Sequence, residues 1–313
     1  MEDARLIIET PEAAPLPPRF NAGPATVLRR PFAGKIVRDL GGLPASLGRI
    51  GGLEVRLATR KAEIRKAQKL RFKVFFREGG AVADIRSALT RRDICPFDRI
   101  CDHLVVIDHE FVNRLGRRKP KVIGAYRLLR RDVAEKNGGF YSAGEFDLAP
   151  LLARHPEKRF LELGRSCVHR DWRNKRTLEL MWRGIWTYVR HHRVDAMIGC
   201  ASLPGANPLA HAMPLSFLHH HATARDDWRV EALPAARVDM NYHAPEKIDQ
   251  RRAVASLPPL VKGYLRLGAK VGAGAVVDRM FGTTDVFVVM PVAEIDERYI
   301  SYFGGAAPER EAA

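Results

Sequence analysis

The chain has 313 residues, 46% of them hydrophobic and 28% charged, so it can bury a sizeable core and is not a wholly disordered protein. Its 52 Lys and Arg against 36 Asp and Glu give a formal charge of +16, which predicts attraction to nucleic acid, an anionic membrane surface or an acidic protein. Cys95, Cys101, Cys167 and Cys200 form no C-x-x-C pair, so neither a disulfide framework nor a zinc site is signalled and a reducing cytosol is the expected compartment. The acidic start has no secretory character, and every long apolar stretch is interrupted by charge, as Lys262, Arg266 and Lys270 do between Leu257 and Val277.

Residues 1–50, rich in Pro, Gly and Ala, read as a flexible arm ahead of a single mixed α/β domain over 51–303, with a flexible tail over 304–313. Leu53, Val55 and Leu57 alternate with polar neighbours as a half-buried strand does. Thr59 is placed to cap a helix carrying Ile64, Ala67, Leu70 and Val74, stopped by Gly79-Gly80. His103–Asp108 and Lys121–Arg130 read as an antiparallel hairpin with a basic tip of Arg114, Arg117, Arg118 and Lys119. Phe160–His169 is a further strand. Leu178, Met181, Trp182, Ile185, Trp186 and Val189 then form one stripe of an amphipathic helix. Ala196–Ser202 reads as a buried strand, Pro208–His219 as a helix and Thr284–Met290 as a late Val-rich strand, while residues 226–255 read as an insertion or flap.

The strand ending in Glu162, Arg165 and Ser166 runs into Arg173-Asn174-Lys175-Arg176 and the amphipathic helix. A strand, basic turn and helix start make an anion-binding arrangement or a solvated basic turn. Alternation puts Glu162 and Arg165 on opposite faces unless a bulge intervenes. The His pairs and triplets at 191–192 and 219–221 lack a metal-binding pattern and suit helix ends. No phosphate loop and no dinucleotide fingerprint is present, and Cys167 and Cys200 read as small core residues rather than nucleophiles.

With these residues in hand, the chain resembles the ornithine lipid N-acyltransferases, themselves similar to acyl-homoserine-lactone autoinducer synthases within the GNAT superfamily. The resemblance runs from about Leu53 to Phe303. It is carried by the blocks 70–75, 97–106, 124–129, 139–147, 162–168, 257–268 and 278–286, weak singly and specific in order. It implies a GNAT-like mixed, largely antiparallel central sheet flanked by helices. It also implies transfer of a fatty acyl group, commonly 3-hydroxylated, from acyl carrier protein to the α-amine of L-ornithine, giving lyso-ornithine lipid.

No metal and no cofactor beyond the donor's phosphopantetheine is implied, and an amphiphilic product suits a cytoplasmic enzyme touching an anionic membrane peripherally. GNAT turns carry small residues that cradle the coenzyme A pyrophosphate; here Arg173, Lys175 and Arg176 replace that pattern, which suits a carrier protein's single phosphodiester and acidic surface. The chemistry needs an unprotonated amine, so Glu162 is the first candidate base, followed by Asp102 and Glu145. Arg165 or Arg127 is expected to read the acceptor's carboxylate and Asp98 or Asp102 an ammonium, with Ser166 also in the substrate-binding set. The competing classes are an autoinducer synthase using S-adenosylmethionine and a basic nucleic-acid-binding protein. The latter's expected motifs are missing, so nucleic acid is not an expected partner.

Overall fold

A computed structural model of the chain describes residues 40–304. The expected arm before residue 40 and the expected tail beyond 304 lie outside the described residues. Residues 40–50, read as the end of the arm, instead join the packed domain: Leu43 and Leu47 are buried, and β1 (Gly48–Ile50) pairs antiparallel with β2 (Leu53–Leu57). A three-residue strand is too short to show alternation.

Helix α1 (Lys61–Arg71) begins a residue later than the Thr59 cap predicts, because Glu63 turns back to accept the N–H groups of Thr59 and Arg60. It runs on as a π-helical segment, Phe72–Glu78, and stops at Gly79 as predicted. After α2 (Ile85–Thr90), whose first turn Asp84 caps, come the predicted hairpin strands β3 (Asp102–Asp108) and β4 (Lys121–Arg130). Short α3 (Arg131–Glu135), β5 (Phe146–Asp147) and α4 (Ala149–Arg154) lead to β6 (Phe160–Val168). Next are α5 (Lys175–His191), β7 (Ala196–Pro204) and α6 (Ala212–His221). The chain closes with β8 (Glu231–Ala232), β9 (Arg237–Val238), α7 (Gln250–Ser256), α8 (Pro259–Arg266), β10 (Lys270–Asp278), β11 (Thr283–Pro291) and α9 (Glu297–Gly304).

The strands form one mixed sheet in the order β1-β2-β3-β4-β6-β7-β11-β10-β8-β5, with β9 also on β10; pairing is antiparallel except at β6–β7 and β10–β8. This is the expected largely antiparallel sheet between helices. One face packs on α5, α6 and α8 through Leu104, Tyr126, Leu163, Leu180, Ile185 and Tyr264. The other is covered by α1, through Ala67 and Leu70, and by the 140–151 segment, through Phe146 and Leu151. Residues 226–255 are not a free flap: β8 and β9 extend the sheet edge, and Met240 and Ile248 are buried.

The stripe predicted for α5 is buried at Met181, Ile185, Trp186 and Val189, but Leu178 is exposed in the first turn, and Leu180, Gly184 and Tyr188 widen the buried face. Gly184 sets how closely the helix lies on β2, since a β-carbon there would stand 2.6 Å from Val55 Cγ2 and 3.1 Å from Leu104 Cδ1. Gly184→Ala is therefore expected to destabilise the fold by about 1–3 kcal/mol despite its better helix propensity, read as a lowered midpoint in urea unfolding.

Candidate active site

The parallel strands β6 and β7 are paired only at Phe160–Glu162 with Ala196–Ile198. Beyond that point β6 stays with β4 and β7 with β11, so the two part as a fork. A β-carbon on Gly199 would lie 2.4 Å from the Leu163 carbonyl oxygen, so glycine is required where the strands separate. On the α5 side the fork opens into an apolar pocket lined by Leu163, Met197, Gly199, Tyr264, Val288 and Met290.

On the opposite face the charged candidates converge. The β4–β6 register slips between Ala125 and Arg127, so Arg165 and Ser166 together oppose Tyr126, and Arg165 takes φ +51°. That bulge turns Arg165 onto the face of Glu162 and Arg127, which simple alternation forbids. Ser166 goes the other way, to hydrogen-bond the Tyr126 hydroxyl beside Tyr264.

The Arg165 guanidinium lies between the rings of Tyr141 (4.7 Å) and Phe281 (4.4 Å), donates from Nη2 to the Tyr141 hydroxyl, and pairs with Asp93 at 3.4 Å. Its Nε is buried without a hydrogen-bond partner. Arg127 is 2% exposed and lies over Gly164, with rings of Tyr141 and Phe97 on it; Nε and Nη1 have no hydrogen-bond partner, although Nη1 stands 3.6 Å from Asp98. Two buried guanidiniums thus keep donors unfilled at one place, the state expected of a receptor for an anion.

Glu162, the first candidate base, is buried at this site, but its oxygens accept the backbone N–H groups of Tyr141 (2.9 Å) and Ser142 (2.7 Å). It fixes the Tyr141–Gly144 turn. Asp98 is committed too, accepting from Arg71 (2.8 Å) and Gln68 (2.9 Å). Burial pushes its carboxyl up, but Arg71 and then Arg127 outweigh that and hold it well below the usual carboxylate range. Asp102 lies elsewhere, under α5, accepting from the Tyr188 hydroxyl at 2.7 Å.

Glu145 is brought to the site by the turn that Glu162 anchors. Burial, then the nearby charges of Asp285 and Asp278, push its carboxyl up to about 7. The Cys200 thiol stands 3.4 Å from Glu145 Oε2 and 3.2 Å from Ser142 Oγ. Burial raises Cys200 well above the ordinary thiol value and Cys167 to about 12, so both remain thiols. Tyr141, Phe281, Asp93, Asp278 and Asp285 were not singled out individually in the sequence. Asp285, a lone acid in a Val-rich strand, is the one with a local signal.

The basic turn is also in place. Asn174 caps α5 by accepting the Thr177 N–H, Lys175 and Arg176 are exposed, and Arg173 reaches Glu78 and the Val168 carbonyl. The hairpin tip is adjacent: the Phe111 and Trp172 rings are 5.9 Å apart, with the Lys121 ammonium over both.

Residues 70–183 match the acetyltransferase (GNAT) domain. The L-ornithine N(alpha)-acyltransferase of Rhizobium meliloti (strain 1021) is 51% identical over 273 residues, 87% of this chain and 91% of that one. The enzyme of the same name from Brucella abortus (strain 2308) is 53% identical over 261 residues, 83% and 92% of the two chains. Among solved structures, FeeM, an N-acyl amino acid synthase from uncultured soil microbes, aligns with a TM-score of 0.44 and 11% identity over 77% of this chain and 92% of its own. At this identity, sustained over most of both chains, the protein is an acyltransferase that belongs to the L-ornithine N(alpha)-acyltransferase family.

Proposed function

We propose that the enzyme moves a fatty acyl group from acyl carrier protein to the α-amine of L-ornithine, releasing lyso-ornithine lipid at the cytoplasmic face of a membrane. The observation that carries this reading is the juxtaposition, at the fork of β6 and β7, of the half-buried Glu145 carboxylate, crowded by Asp278 and Asp285, with arginines whose donors are unfilled. The acceptor's carboxylate pairs with Arg165 and Arg127. Glu145, ionised, takes the α-ammonium's proton, and the amine attacks the thioester carbonyl. The C–N bond forms, the C–S bond breaks, and sulfur leaves with the bonding pair. The Tyr141 hydroxyl, which burial keeps protonated, supplies the thiol proton, and the second proton that nitrogen sheds as the amide forms restores that hydroxyl. The apolar cavity behind the fork, about 10 Å³ in this structure, takes the acyl chain only when its lining moves apart.

A general base at Glu145 fixes the sign of the pH dependence. The carboxyl is raised, so the carboxylate fraction and kcat/KM climb as pH rises through about 7 and then level off. Asp278, Asp285, Arg165, Tyr141 and Cys200 face this group. Glu145→Gln is expected to lower kcat by roughly 100-fold or more and to remove that limb from the pH–rate profile. A folded variant that keeps both would assign the proton transfer elsewhere, with Glu162 the next group to test.

The donor reading is supported by the exposed basic surface formed by Arg170, Lys175, Arg176 and the 114–119 tip. Docking of an acidic carrier there predicts that kcat/KM falls several-fold between about 50 and 300 mM salt, and that acyl coenzyme A is a poorer donor at equal concentration. Equal turnover with both donors would set the carrier reading aside.

Membrane contact is supported by a patch beside the site. Val82, Ile85, Leu89 and Met280 are 57–81% exposed, and the Val82 N–H donates to the Met280 carbonyl, next to Phe281. Arg86, Arg91 and Arg92 flank it, the pairing of apolar and basic groups that an anionic lipid surface recruits. No helix among the described residues is long and apolar enough to cross a membrane. Replacing Ile85 and Leu89 together by Ser is expected to reduce co-sedimentation with phosphatidylglycerol-containing vesicles at least several-fold.

A further inference from the structure

Resting on the acyl-transfer reading above, we propose that Asp278 and Asp285, beside the base Glu145, form the receptor for a second, side-chain ammonium of the acceptor, so that this site selects dibasic amino acids. One carboxylate oxygen of each residue lies within 4.8 Å of the others. They arrive from three segments: Glu145 from the turn that follows α3, Asp278 from the end of β10, and Asp285 from β11 opposite Ser202.

A second observation marks the cluster as a place for a ligand. Asp285 is 6% exposed, and its Oδ1 is buried with no hydrogen-bond partner. An orphaned buried acceptor is costly unless something donates to it. Asp278 is held ready differently: its Oδ1 accepts the N–H groups of Met280 (2.8 Å) and Phe281 (2.9 Å), which fixes the carboxylate at the β10–β11 turn. The nearest guanidinium, Arg165, is turned toward Asp93 and Tyr141.

The chemistry chooses the occupant. An ammonium offers N–H donors and no acceptor, which matches the Asp278 and Asp285 carboxylates, acceptors only when ionised. Without a cation, burial and mutual repulsion push Glu145 up to about 7 and, against the nearby hydroxyls of Thr283 and Ser202, Asp285 up to about 6; a bound cation would return both to the ionised form. The register orders the site along β7. Cys200, beside Glu145, pairs with Phe287 nearer the fork, and Ser202 pairs with Asp285 one step farther out. The reacting amine therefore sits at Glu145, the carboxylate at Arg165, and the side chain extends toward Asp285 and Asp278.

The test is a comparison of ornithine with norvaline, its uncharged analogue, as acceptors. Wild-type protein should prefer ornithine by at least about 100-fold in kcat/KM. In Asp285→Asn and in Asp278→Asn, which keeps the turn's acceptor oxygen, KM for ornithine should rise at least about tenfold and the ornithine-to-norvaline ratio should fall by a similar factor. If Asp285→Asn does not fold, the Asp278 variant decides. Equal use of both acceptors by the wild type, or an unchanged ratio in folded variants, overturns the receptor while leaving acyl transfer intact. Acylation of neither amino acid overturns both. Activity abolished by EDTA and restored by Mg2+ or Mn2+ would make the cluster a metal site and overturn the inference.

Discussion

Arg71 is the charge around which the site is built. It is 1% exposed at the end of α1, with Nε on the Asp93 carboxylate (2.8 Å) and Nη2 on both the Asp93 carbonyl (2.7 Å) and Asp98 (2.8 Å). A charge in a low-dielectric interior persists only when paired and hydrogen-bonded, and stripping away one partner of such a pair costs about 3–5 kcal/mol. Those bonds tie α1 to the 93–99 segment, and Asp93 and Asp98 in turn meet Arg165 at 3.4 Å and Arg127 at 3.6 Å. Three guanidiniums share two carboxylates through these contacts. The surplus positive charge lies in a region walled by Phe97, Tyr141 and Phe281.

Backbone irregularity puts those charges to use. An arginine at φ +51° stores roughly 1–3 kcal/mol of strain, retained because the bulge lets Arg165 and Glu162 share a face. Glu162 then acts through its neighbours, since its two bonds to the 141–142 backbone place both the Tyr141 ring over the guanidiniums and Glu145 beside the fork. A regular strand would send Arg165 into the apolar core under α5.

Where a segment obeyed one period, the sequence showed it. The β3–β4 hairpin and the α5 stripe follow from alternation and 3.6-residue spacing, with Leu178, exposed in the first turn, the member of the stripe that fails. β10 was missed for a physical reason: Gly272 and Gly274 interrupt its pattern. Gly272 lets the Val230 carbonyl approach to 2.6 Å from where a β-carbon would be, and Gly274 takes φ +83°. The site was legible as a set of charges but not as a constellation. Asp278 and Asp285 flank one hairpin turn, but Glu145 is far from both in sequence, and only the anchored 141–145 turn brings it to them. Asp98 and Asp102, four residues apart in sequence, diverge because a residue ending a turn and one opening a strand point to different faces.

A chain of charge +16 must still handle an acceptor that is itself cationic. A uniformly positive field would recruit an acidic donor protein and repel such an acceptor. The distribution of charge resolves this. The excess cations stand on the surface, at the α5 start and the hairpin tip, where they act over about a Debye length of roughly 8 Å at physiological salt. Of the clustered acids Asp285 is buried and Glu145 and Asp278 are half-buried, where screening is weaker and each charge acts at short range. Surface and interior therefore present opposite signs, and on the proposed reading the fork between β6 and β7 is where a donor's acyl group meets the acceptor's amine.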